Sequence, residues 1–133
     1  MNDRFKFRVW LEYAKLYYGL DSFYYDRLRN KYTFHFEDGH TKTIKEKDCV
    51  IEQCTGLKDK NGRLIYEGDI VVKIDVNGIG YPRTRICRVY WKEDWLGWVI
   101  ETEYGDVYAL ADYGSDNYEV IGNIHENPDL VEA

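Results

Sequence analysis

The residues with the most chemical promise lie between Gln53 and Val72, in QCTGLKDKNGRLIYEGDIVV. Asp59, Asn61, Glu67 and Asp69 offer oxygen ligands, and Gly56, Gly62 and Gly68 offer turns. Calcium is the first chemistry to test. An EF-hand loop needs oxygen ligands at alternating positions, a Gly at the sixth and a bidentate Glu at the twelfth. Placing Gly62 sixth puts Asp59 and Asn61 third and fifth, and Leu64 at the apolar eighth. The first position is then Leu57 and the twelfth Gly68, with Glu67 one residue short. Both terminal ligands fail. A phosphate cradle fails too, because these glycines are too widely spaced and a strand, not a helix, follows. Gly78-Ile79-Gly80-Tyr81 is likewise too short for a dinucleotide fingerprint.

A hairpin remains. Asn61-Gly62 suits a two-residue turn with both central residues at positive φ, joining a strand through TGLKD to one through RLIYEG. Gly68-Asp69 then kinks the chain, with the short acid free to accept backbone N–H groups at the bend.

The other reactive side chains are scattered. Cys49 and Cys54 differ by five positions, so on one regular strand they face opposite ways and cannot share a zinc unless the strand is bulged. Cys87 alternates with Val89 and Trp91 and reads as a small core residue. His35, His40 and His125 lie far apart, and no nucleophile elbow or zinc-protease motif accompanies them. An enzyme built on Asp69 and His125 would need both groups to converge in a cleft. The expectation is a protein that is not an enzyme and carries neither metal nor cofactor.

Two surfaces are better candidates. WKEDWLGW packs Trp91, Trp95 and Trp98 into one hairpin, more tryptophan than one small barrel readily buries. With Tyr104 these form a candidate protein-contact surface, since Trp and Tyr are enriched at interfaces. YPRTRICR holds Arg83, Arg85 and Arg88, a candidate basic patch for single-stranded nucleic acid, with a solvated strand edge as the plainer reading.

What positions these residues is a series of short strands. Two-residue alternation marks FKFRVW, where Phe5, Phe7 and Val9 oppose Lys6, Arg8 and Trp10. It recurs in YTFHF, where Tyr32, Phe34 and Phe36 oppose Thr33 and His35. DIVVKIDV puts Ile70, Val72, Ile74 and Val76 on one face. Turn signals at 37–39, 61–62, 77–78, 104–106 and 113–117 punctuate the series, which predicts an all-β sandwich or barrel. One segment disobeys. LEYAKLYYGLDSFYYDRLRN reads as a strand through Tyr18 and then a short helix over Asp21–Leu28, capped by Asp21 or Ser22, or else as an aromatic hairpin. The chain's character changes near Thr55, dividing a small N-terminal β lobe (1–54) from a C-terminal SH3-like barrel (55–133). No linker-like composition separates them, so the two are expected to pack as one unit.

Composition bounds the function. The chain has 133 residues, a formal charge of −6 and 17% aromatic residues, thirteen of them Tyr. An acidic balance argues against non-specific DNA binding through a broad basic face. Three cysteines fit a reducing compartment, and no apolar run has signal-peptide or membrane-span length. A cytoplasmic protein without a membrane partner is expected.

Three blocks together resemble the YopX family of phage and prophage proteins: RFKFRVW at 4–10, VIEQCTGLKDKNGRLIYEGDIV at 50–71 and YEVIGNIHENPDL at 118–130. The matching positions are Thr55, Gly56, Leu57, Asp59, Asn61 and Gly62, then Tyr66, Glu67, Gly68, Asp69 and Ile70. Gly122, Asn123, Glu126, Asn127 and Pro128 complete them. The resemblance implies a mostly-β fold with an SH3-like C-terminal barrel in a bacterial host, and it supplies no catalytic residue. Most of these side chains have turn or core chemistry, so the motif is expected to specify a fold more than a reaction. Two functions follow as expectations: an accessory protein acting through contacts with a host or phage protein, or with further copies of itself, and alternatively a nucleic-acid module using Arg83, Arg85 and Arg88.

Overall fold

A computed structural model describes residues 3–75 and 83–131. The segment 76–82 lies outside them, and with it Val76, the Asn77-Gly78 turn, the Gly78–Tyr81 stretch and the start of YPRTRICR. The described chain is mainly β, with two antiparallel sheets, short 3-10 turns and no α-helix. It divides into two compact units, Met1–Cys54 and Thr55–Ala133.

In the first unit, β1 (Phe7–Leu11), β2 (Leu16–Asp26), β3 (Lys31–Phe36), β4 (Thr41–Lys45) and β5 (Cys49–Lys58) lie in the order β4-β3-β2-β1-β5. Alternation works here as expected. Val9, Leu11, Leu20, Phe34, Phe36 and Ile44 are buried together, with Phe7, Tyr18, Phe23 and Tyr32 packed against them. Phe5 departs from the pattern: it sits in a 3-10 turn before β1 and is exposed.

The helix expected over Asp21–Leu28 is not formed. β2 runs unbroken through Asp26, and Arg27–Asn30 make the turn into β3. Its pairing with β3 shifts between Leu20 and Ser22, so one extra residue, Asp21, bulges out of the ladder. The bulge moves the inward set from Tyr18 and Leu20 to Phe23, a spacing of three that imitates helical periodicity.

β5 continues past Cys54 into the second unit, where β6 (Leu64–Tyr66) lies beside it. The other sheet has β7 (Asp69–Asp75), β8 (Arg83–Lys92), β9 (Gly97–Thr102), β10 (Val107–Ala109) and β11 (Tyr118–Asn123) in the order β10-β9-β8-β7-β11. Four strands meander and the fifth returns beside the first, as in a Greek key. The sheet is open: β10 and β11 are its edges, and no described strand joins them. The core gathers Ile65, Val71, Cys87, Val89, Ile100, Leu110, Tyr118 and Val120.

Ile70, Val72 and Ile74 do share one face of β7, but the core cluster takes Val71 from the other. Lys73 occupies that other parity and is 3% exposed, its ammonium 4.0 Å from the Tyr113 ring centroid and 5.0 Å from that of Tyr108. Aromatic faces let a lysine occupy an inward position that alternation assigns to an apolar residue.

Candidate functional site

Asn61-Gly62 does not form the expected two-residue turn. Gly62 has φ 81°, while Asn61 is not among the residues of positive φ. Gly62 N–H donates to Asp59 O at 3.0 Å and Asp59 N–H to Arg63 O at 2.9 Å. This is a three-residue hairpin loop: a type I turn followed by a left-handed glycine. The preference for it comes from Asp59. Its Oδ1 accepts the N–H groups of Asn61 and Arg63, each at 2.9 Å, and its Oδ2 accepts that of Val120 at 2.9 Å. The residue is 3% exposed. Burial pushes its carboxyl group up, yet the bonds from Val120, Arg63 and Asn61, with the Arg63 charge, hold it below the ordinary range.

One carboxylate therefore shapes its own loop and grips β11, sixty-one residues away in sequence. Lys60 N–H donates to Tyr118 O at 2.9 Å beside it. Thr55 repeats the device, its hydroxyl donating to Ile65 O at 2.7 Å and accepting from Leu57 N–H at 3.2 Å.

The second motif block closes on the first. Gly68 (φ 85°) donates its N–H to Val89 O and accepts Ile124 N–H, both at 2.9 Å. Asp69, 1% exposed, accepts Tyr66 N–H at 2.8 Å and pairs across the ladder with Asn123, as Ile70 does with Gly122. Asn123 Oδ1 accepts the N–H groups of His125 and Glu126, and its Nδ2 donates to Glu126 Oε1 at 3.1 Å. Asn127 Oδ1 accepts Asn123 N–H at 3.2 Å. A Cβ on Gly122 would lie 2.4 Å from that same Oδ1. The motif residues Gly122, Asn123, Glu126 and Asn127 thus form one compact turn, with Pro128 opening the 3-10 turn after it. The two blocks are a clasp that holds β7 to β11.

The tryptophan hairpin has a different character. Trp91 and Trp98 face each other across β8 and β9, with ring centroids 5.3 Å apart and planes at 77°. Trp98 packs on the core, whereas Trp91 is 41% exposed and Trp95 49%. Trp91 Nε1 donates to Glu93 Oε2 at 2.9 Å, fixing the indole with one face outward. At the tip Leu96 is 73% exposed and holds φ 48°, ψ 47°. A left-handed leucine is uncommon, because its side chain crowds the backbone there. Tyr104 does not join this surface. It lies beyond the far end of β9, 72% exposed, with the Arg85 guanidinium 5.2 Å from its ring centroid.

The three arginines do not make one patch. Arg83 and Arg85 share a face of β8, and Arg88 points from the other. Arg88 is engaged there by Glu101, its Nη2 2.7 Å and its Nε 3.0 Å from Oε2. Both belong to a shallow cleft of about 370 Å³ with Ile86, Thr102, Glu103, Gly105 and Val131.

The reactive groups are committed elsewhere. Asp69 is closed off from solvent and bonded to backbone. His35 pairs with the Thr41 hydroxyl at 3.1 Å and His40 with Asp38 at 3.1 Å. The Cys49 thiol is pushed up to about 11 by burial and by Asp48 and Glu46, so it stays protonated near neutrality. Among the described residues no three His, Cys, Asp or Glu side chains gather as metal ligands. No described helix is long and apolar enough to cross a membrane.

Sequence reasoning missed one buried cluster. Arg8 Nε donates to Glu52 Oε1 at 2.9 Å, and the Tyr17 hydroxyl donates to the same oxygen at 2.8 Å. The guanidinium carbon lies 4.1 Å from the Tyr17 ring centroid. Alternation placed Arg8 away from the core, but finding Glu52 beside it requires the β1–β5 register.

A family model described as YopX protein matches residues 6–132. Among solved structures, the chain is similar to protein EF1440 from Enterococcus faecalis at 28% identity and a TM-score of 0.64, covering 96% of this chain and 97% of that one. It is also similar to protein yopX from Bacillus subtilis at 20% identity and a TM-score of 0.67, covering 100% and 98%, a likeness of fold alone. No curated protein matches the sequence.

Proposed function

The chain belongs to the YopX family, matched over residues 6–132, and on that premise we propose that it is a non-enzymatic phage or prophage accessory protein acting through protein contacts at its tryptophan hairpin. One observation carries this reading: an exposed tip of Trp91, Trp95 and Leu96 held in a fixed geometry, with the leucine in a backbone conformation that favours glycine. Lys15 and Asn30 take the same left-handed φ at other turns, so the conformation belongs to the turn, and what points to use is that here it carries an exposed apolar side chain. The first partner is a second copy. Between Trp91 and Trp95 the tip carries a cation, Lys92, and an anion, Asp94, while the intervening Glu93 is bonded to the Trp91 indole. A two-fold contact sets each charge against its opposite in the other copy. The protein works in the bacterial cytoplasm, and its second sheet is taken as an SH3-like barrel because a returning fifth strand lies beside the first.

Leu96→Gly tests the reading by splitting two properties. Relief of the left-handed strain should raise stability by about 1 kcal/mol, read as a higher urea midpoint. Loss of the leucine side chain should weaken self-association several-fold, read by sedimentation velocity. A variant more stable and equally self-associating would remove the tip from the contact.

A further inference from the structure

We propose that the outer face of β2, β3 and β4 is a binding platform for single-stranded nucleic acid. The register makes this face a regular grid. Asp26, Lys31 and Lys45 form its first row. Tyr24, Thr33 and Thr43 form the second, and Ser22, His35 and Thr41 the third. No aliphatic side chain lies on it, while the inward face of the same strands carries Phe23, Phe34 and Ile44.

The first row holds an anomaly. Lys31 and Lys45 are directly opposite across the β3–β4 ladder, and like charges in that relation destabilise a sheet. Neither lysine is ion-paired among the described residues, and Asp26 is bonded to Arg29 at 2.8 Å. Arg29, Lys45 and Lys47 line an adjoining cleft of about 390 Å³ with Asn30 and Glu46, and the Glu46 carboxylate accepts the Tyr25 hydroxyl at 2.7 Å. In a chain of net charge −6, this corner gathers Lys31, Lys45 and Lys47, none ion-paired among the described residues, beside Arg29, which Asp26 holds. An anionic occupant removes the repulsion.

The second and third rows say which anion. Tyr24 is 60% exposed, and its ring centroid is 6.4 Å from that of His35, a pair of π-surfaces open to solvent beside the cations. The hydroxyls of Thr33 and Thr43 are 3.1 Å apart between them. Bases stack on such rings without regard to sequence while lysines follow the backbone. A duplex keeps its bases stacked inside and cannot use them. A protein partner would be expected to meet an apolar centre depleted of charge, which this face lacks. The platform is independent of Arg83, Arg85 and Arg88 and of the tryptophan tip.

The test is fluorescence anisotropy with the full chain and a labelled oligothymidylate, beside the matching duplex and polyglutamate. The single strand should bind best, with log affinity falling by about 0.7 per contacted phosphate for each tenfold rise in salt. Lys31→Gln with Lys45→Gln should make that slope shallower by about 1.4 while leaving the melting temperature unchanged or higher, since repulsion is relieved. Tyr24→Ala should lose about tenfold in affinity with the slope unchanged, and Tyr24→Phe should retain it. No binding at low salt, equal binding of polyglutamate, or a salt slope indifferent to the two lysines would overturn the proposal.

Discussion

Asp59→Ala should cost about 3 kcal/mol of folding stability, one of the two largest losses expected from a single side chain here. Three backbone N–H groups lose their acceptor together, and that of Val120 is buried where water cannot replace it. The hairpin loop also loses what shapes it, and the clasp between the two motif blocks loosens. Asp59→Asn should cost about 2 kcal/mol, because its one carbonyl oxygen can serve Asn61 and Arg63 while its NH2 confronts the Val120 N–H. The effect depends on pH in a defined direction. The folded carboxyl is held below the unfolded value of about 3.9, so its stabilisation is complete above that value. It is lost as pH falls through the folded value. Urea unfolding at neutral pH should separate wild type from Asp59→Asn, and the gap should narrow in acid. A gap independent of pH would show that the carboxylate's charge is not what holds the clasp.

Glu52→Ala should destabilise by about 3–5 kcal/mol. The Arg8 side chain is 11% exposed, and removing Glu52 takes away the carboxylate 2.9 Å from its Nε. A charge taken out of water and deprived of its partner is far costlier than a surface ion pair broken. The corollary is sharper. Arg8→Met combined with Glu52→Leu should be close to wild type or more stable, since desolvating two ions offsets most of their attraction. A double-mutant cycle by chemical denaturation measures both arms. Single and double variants that are equally destabilised would mean that packing around these residues matters and the ion pair does not.

Much of the fold was legible because its turns and inward faces obey simple rules. The turn signals at 37–39, 61–62 and 104–106 each fall in a hairpin, and all three hairpins take the same three-residue form, with Gly39, Gly62 and Gly105 at positive φ. Tyr32, Phe34 and Phe36 alternated as read. Where the reading failed, a local exception broke the period: the bulged Asp21 shifted β2 by one residue, and Lys73 stood inward among tyrosines. Asn61 misled for another reason. Asn-Gly favours a two-residue turn by propensity, but the Asp59 carboxylate binds Asn61 N–H and selects the three-residue form.

The site was legible in composition and illegible in arrangement. Three tryptophans in eight residues marked the hairpin, but only the structure shows Trp91 and Trp98 side by side on one sheet face, Trp98 packed on the core and Trp91 and Trp95 left partly exposed towards the tip. The length of β9 divides Tyr104 from the tryptophan tip, and strand parity divides Arg88 from Arg83 and Arg85. The 3×3 outer face of β2–β4 depends on register across two ladders, including the bulge. No sequence pattern carries that.

The most direct measurement of the central claim is the light-scattering mass of the protein over a range of concentrations, beside Trp95→Lys. Trp95 is half exposed at the tip and outside the core, so the variant should fold with an unchanged urea midpoint. The wild type should rise from the monomer mass toward the dimer while Trp95→Lys stays monomeric. A wild type that remains monomeric throughout, or a variant that associates equally well, would contradict a contact surface on the tryptophan hairpin.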